Sequence, residues 1–144
     1  MTDRAFEILL VEDNPAFVRL TQEAFKRSKI RSNKSVARDG IEAMEFLNRT
    51  GEKADAPRPD LIFLDLNLPR KDGREVLAEI KADPDLKRIP VVILTTSNEP
   101  RDMLDSYNLH ANCCIVKPSD LEKYFEAILS TEQFWLSTVV LPPL

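Results

Sequence analysis

Residues 60–73 read DLIFLDLNLPRKDG. Four consecutive apolar residues, Leu61–Leu64, are too short a run for an ordinary helix and suit a strand covered on both faces. At its carboxyl end stands a carboxylate, Asp65. Runs of the same kind recur at Ile8–Val11, Val91–Leu94 and Cys113–Val116, with a weaker one around Ser35–Ala37. The segments between them carry helical stripes: Phe17, Leu20, Ala24 and Phe25; Ile41, Met44 and Leu47; Val76, Leu77 and Ile80; Leu121, Phe125, Ile128 and Leu129. A fifth, less clear pattern runs from Glu99 to Leu109. Asn14-Pro15 offers a cap and a first-turn proline, and Ser119 with Glu122 reads as a capping box. The polar TGEKADAPRP at 50–59 reads as a surface loop. Strands alternating with helices predict an α/β fold with a doubly wound, five-stranded parallel sheet, whose ligands bind at the carboxyl ends of the strands.

The totals narrow the function. A chain of 144 residues has room for one ordinary domain. Its composition, 43% hydrophobic and 31% charged, is that of a globular protein. A net charge of −4 argues against a nucleic-acid surface, which needs a clustered basic excess. The adjacent Cys113 and Cys114 point to opposite faces of a strand and are poorly placed to bridge, which suits a reducing compartment. The N-terminus lacks the layout of a signal peptide, and no apolar run reaches the length of a membrane span. A cytoplasmic location is expected.

At the strand ends stand Glu12 and Asp13, then Asp65, Thr95 and Lys117. Each alone has a plain explanation, since acids near helix starts are common caps and dipole partners. Together on one sheet edge they are harder to dismiss. Crowded carboxylates repel unless a cation sits among them, and hard oxygen ligands with open water positions suit Mg²⁺.

The segments ILLVEDNP at 8–15, DLIFLDLNLPRKDG at 60–73, PVVILTTS at 90–97 and IVKPSD at 115–120 resemble, in order and on the right elements, the receiver domains of two-component response regulators of the chemotaxis-regulator type. The resemblance implies a flavodoxin-like strand order 2-1-3-4-5 with five helices, and a receiver domain over 1–130. It implies that Asp65 accepts a phosphoryl group from a histidine kinase. Glu12, Asp13, Asp65 and the backbone carbonyl of Asn67 would then form the metal site for Mg²⁺. Thr95 and Lys117 would contact the phosphoryl oxygens, and Lys117–Pro118 is where the family carries a cis peptide. Such a chain is a phospho-accepting signalling protein rather than an enzyme.

Departures from the family pattern stand beside these matches. Cys114 occupies the position of an aromatic switch residue, Thr96 that of a small residue, and His110 that of a helix-ending glycine. Asn67 and Ser97 fall where the family tunes dephosphorylation. Residues 131–144 add an apolar extension containing Phe134, Trp135, Leu136, Val139, Val140 and Leu141, expected to serve as an interface segment. The ending FWLS…LP and the segment LTTSNEPRD resemble the short regulators that partner phytochromes, which implies a phytochrome-type histidine kinase as donor and a homodimer through the fourth helix, fifth strand and fifth helix. Two other readings stay open: a phosphorylation-independent interaction module, and a Mg²⁺-dependent phosphohydrolase. The second lacks the aspartate it needs two residues past Asp65, where Asn67 stands.

Overall fold

The computed structural model describes residues 5–143. Five parallel strands, β1 (Phe6–Val11), β2 (Ser32–Ala37), β3 (Leu61–Asp65), β4 (Val91–Thr95) and β5 (Cys113–Val116), form one sheet in the order β2-β1-β3-β4-β5. Helices α1 (Pro15–Lys26), α2 (Gly40–Asn48), α3 (Gly73–Ala82), α4 (Pro100–Asn108) and α5 (Leu121–Gln133) connect and flank them. The doubly wound topology is as expected, and its registers pair Val11 with both Ala37 and Leu64 and Asp65 with Leu94.

Alternation along the strands sorts the apolar side chains into two cores. Leu9, Val11, Ile62, Leu64, Val91 and Ile93 meet α2 and α3, whereas Ile8, Leu10, Leu61, Phe63, Val92 and Leu94 meet α1 and α5. Cys114 packs on the first core and Cys113 on the second, opposite faces as their adjacency requires. β3 and β4 are buried throughout, while β5 is an edge strand whose last residue, Val116, is exposed. β2 begins three residues before the apolar signal, because an edge strand tolerates Ser32, Asn33 and Lys34 on its rim.

The caps reflect local chemistry. Asn14 accepts the N–H groups of Ala16 and Phe17, with Pro15 at the first helical position. At α5 the cap is Asp120, not the expected Ser119: its carboxylate accepts from Glu122 and Lys123. A carboxylate at this end also meets the positive pole of the helix. His110, past α4, adopts φ 71°, the left-handed conformation for which glycine is usual. No cis peptide occurs among the described residues, so Lys117–Pro118 is trans, against the expectation; trans is the intrinsically favoured isomer by about 0.5–1 kcal/mol.

Two glycines mark where backbones touch. A Cβ on Gly73 would overlap the Asp65 carbonyl, and one on Gly40 would overlap the Lys71 carbonyl. The loop between β3 and α3 is thus held from both sides.

α5 runs unbroken across residue 130 and continues into a π-helical turn, Phe134–Thr138. Leu136 is buried in the α1–α5 core, with Trp135 and Leu141 packed against it, whereas Phe134 and Val140 are exposed. The extension therefore folds partly onto its own domain. The helical phase turns Leu136 inward and leaves Phe134 outside, so a part of the expected interface segment stays exposed.

Candidate functional site

Parallel strands deliver their carboxyl ends to one edge, and there Glu12, Asp13, Asn14, Phe17, Asp65, Asn67, Thr96 and Lys117 line a single open cleft. One oxygen each from Glu12, Asp13 and Asp65 lies within 4.8 Å of the others. Asp13 is exposed; Glu12 and Asp65 are buried. Three hard carboxylate oxygens around an open cleft fit a divalent cation that keeps some of its waters.

Lys117, delivered by the end of β5, bridges the acids. Its Nζ donates to Glu12 Oε1 at 2.6 Å and to Asp65 Oδ2 at 2.9 Å, and it stands 4.0 Å from the centroid of the Phe17 ring. Asp65 Oδ1 accepts the Asn67 N–H at 2.8 Å, which fixes the carboxylate's orientation. Glu12 Oε2 accepts the Asn14 N–H at 3.2 Å. Burial pushes the Glu12 carboxyl up to about 7, helped by the neighbouring Asp65 and opposed by Lys117. One ammonium thus offsets crowded acids only in part, and the cleft favours a further positive charge.

Thr95 ends β4 and is fully buried. Its hydroxyl accepts the Ser97 N–H at 3.1 Å, and Thr96, not Thr95, lines the cleft. Ser97 in turn donates to Asp102 Oδ2 at 2.6 Å, and Arg74 Nη2 donates to Asp102 Oδ1 at 3.0 Å. This chain of contacts links the loop after β4 to α4 and α3. It was invisible in the sequence, as was the role of Phe17, whose place in a helical stripe marked it only as core. The Tyr124 hydroxyl lies 2.5 Å from Thr21 Oγ1 and ties α5 to α1.

Residues 8–129 match the response regulator receiver domain. The response regulator Rcp1 of Synechocystis sp. (strain ATCC 27184 / PCC 6803 / Kazusa) is 56% identical over 135 residues, covering 94% of this chain and 92% of that protein. Among solved structures, the phosphorylated cyanobacterial phytochrome response regulator RcpA superposes with a TM-score of 0.93 at 55% identity, over 97% of this chain and 100% of that one. The Mn²⁺-bound form of Rcp1 gives 0.91 at 55% identity, over 96% and 99%. Motif order, sheet topology, the acid–lysine cleft and this similarity agree: the chain is a member of the response regulator receiver family.

Proposed function

We propose that Asp65 is the phospho-acceptor of a phytochrome-linked phosphorelay. The observation that carries this reading is the Asp65 carboxylate itself, held at a strand end by the Asn67 N–H and Lys117 beside two further acids. An oxygen of Asp65 attacks phosphorus, a P–O bond forms, and the bond from phosphorus to the donor's imidazole nitrogen breaks, with a proton taken up by the departing imidazole. Positioning and charge neutralisation supply most of the rate in such transfers. Glu12, Asp13, Asp65 and the Asn67 carbonyl would hold a divalent ion, Mg²⁺ in our reading, which would supply that neutralisation. Lys117 shifts its hydrogen bond from Asp65 to a phosphoryl oxygen, and the Thr95 hydroxyl, which accepts the Ser97 N–H, donates its own proton to another.

The donor in this reading is a phytochrome-type histidine kinase, by similarity to regulators described as phytochrome partners, and the setting is cytoplasmic. We further read the α4–β5–α5 side with the extension, residues 131–144, as the face that pairs with a second copy. Among the described residues the exposed large hydrophobics are Leu104, Tyr107, Val116, Leu121, Phe134 and Val140, all within those three elements or the extension. Aromatic residues are enriched at interfaces, and the buried centre of an interface is more apolar than its rim.

Intact-mass measurement with a small-molecule phosphodonor tests the central assignment. One phosphoryl group should be gained with Mg²⁺ and none with chelator, and Asp65→Asn should abolish the gain. Retained labelling in that variant would place the acceptor elsewhere. For the face, Val116→Asp should sediment as a monomer while still accepting phosphoryl; an unchanged sedimentation coefficient removes β5 from any self-association.

A further inference from the structure

Glu132 lies in the last turn of α5 and is 0% exposed. Neither of its carboxyl oxygens has a hydrogen-bond partner. An ionised carboxylate in that position would be desolvated and unpaired, so the site suits the neutral, protonated acid. Two groups face it from other elements. Ser28, beyond α1, accepts the Ile30 N–H at 3.0 Å, which leaves its hydroxyl proton free to turn toward the carboxyl. Lys34 of β2 acts on it from a distance, its ammonium 6.0 Å from the centroid of the Phe25 ring. Both favour the anion, yet burial outweighs them and holds the carboxyl above the ordinary glutamate value of 4.5.

Glu132 matters because of the segment it precedes. The next turn, Phe134–Thr138, seats Trp135 and Leu136 against the α1–α5 core, and Leu141 packs on the same core. The Trp135 Nε1 is buried there without a partner as well. Few directional contacts therefore hold the segment, and its docking depends on the end of α5 staying in place.

We propose that Glu132 is a proton-dependent latch: while neutral it lets residues 134–141 dock on the α1–α5 face, and on ionising it must reach water, which lifts the end of α5 and frees the segment. This device acts independently of phosphorylation at Asp65. Because the docked state raises the carboxyl's affinity for its proton, docking is strongest below 4.5 and is lost as pH rises through the raised value of the docked carboxyl. Within that window the ratio of free to docked segment grows about tenfold per pH unit.

Trp135 is the chain's one tryptophan, so its emission reports docking without a label. Emission wavelength is the quantity to track, because Cys113 packs in the same cluster and its thiol, pushed up by burial, would alter intensity on ionising. In the full chain the emission should shift to the red along a single titration with its midpoint above 4.5. Glu132→Gln, neutral at every pH and of the same shape, should hold the docked emission throughout. Lys34→Met, which removes the facing cation, should enlarge the shift. A wavelength that stays constant in the unaltered chain, or shifts equally in Glu132→Gln, overturns the latch. Carbon-detected NMR of the Glu132 carboxyl in the unaltered chain decides the matter even if a variant fails to fold: titration at or below 4.5 overturns it too.

Discussion

α3 and α4 are helices of similar length, 10 and 9 residues, flanking neighbouring strands, yet they are attached by different physics. α3 buries Gly73, Val76, Leu77 and Ile80, whereas the one buried residue of α4 is Ser106, whose hydroxyl turns back to the Asp102 carbonyl. What fixes α4 is polar. Asp102 takes hydrogen bonds from Ser97 and Arg74, and these two, Ser97 first, hold its carboxyl below the usual carboxylate range. Apolar burial is non-directional and resists displacement through the whole core; a few directional bonds can be exchanged one at a time. α4 can therefore move without opening the core, and the Ser97 N–H on Thr95 connects that freedom to the end of β4, next to Thr96 in the cleft.

If apolar burial anchors α3, trimming its inner face should do the most damage. Leu77→Ala should cost about 2–5 kcal/mol, read as a lower denaturant midpoint with an unchanged slope, because a fully buried side chain leaves a cavity. A loss below about 1 kcal/mol would mean that α3 is not the anchored helix. A second, smaller effect comes from Glu12. Its carboxyl is raised to about 7, so the stability tied to its neutral form is present below 4.5 and lost as pH rises through about 7. The ion-free chain should weaken across that range and regain stability with Mg²⁺, and amide exchange should quicken in α4 more than in α3. Equal quickening in both helices would erase the distinction. Asp102→Ala comes next: exchange in α4 should speed up while α3 stays protected and global unfolding barely changes. The smallest effect belongs to Leu104→Asn, at a side chain 61% exposed, which should leave stability within about 0.5 kcal/mol while weakening self-association if that face pairs copies.

The mode of attachment also governs how much of each element is legible in the sequence. β1, β3 and β4 announced themselves because both their faces are buried, so continuous apolar runs survive in the sequence. α3 was legible through Val76, Leu77 and Ile80, and α4 was the unclear pattern because only Ser106 faces inward. β2 was shortened by its polar rim. Glu12, Asp13, Asp65 and Lys117 were legible because parallel topology sends every strand's carboxyl end to one edge, whereas Phe17, from α1, was not. Lys117 spanning Glu12 and Asp65, the Arg74–Asp102–Ser97 clamp and the inward turn of Leu136 were not. Each depends on side chains that meet only after helices and strands are packed, and no local periodicity encodes that meeting. Asp120 and Ser119 are equally able caps by type, so the choice between them rested on backbone geometry alone.

Of the three glycines in the chain, Gly40 and Gly73 both press on the loop after Asp65. One wall of the cleft is therefore set by missing atoms rather than by attractive contacts. A methyl group at either position meets carbonyl groups that cannot swing aside as the tip of a side chain would, so tolerance to substitution should be lowest at residues that do no chemistry at all. In a library scored for phosphorylation, Gly73→Ala would be grouped with losses of the acceptor itself, although the aspartate in that variant is intact and merely displaced.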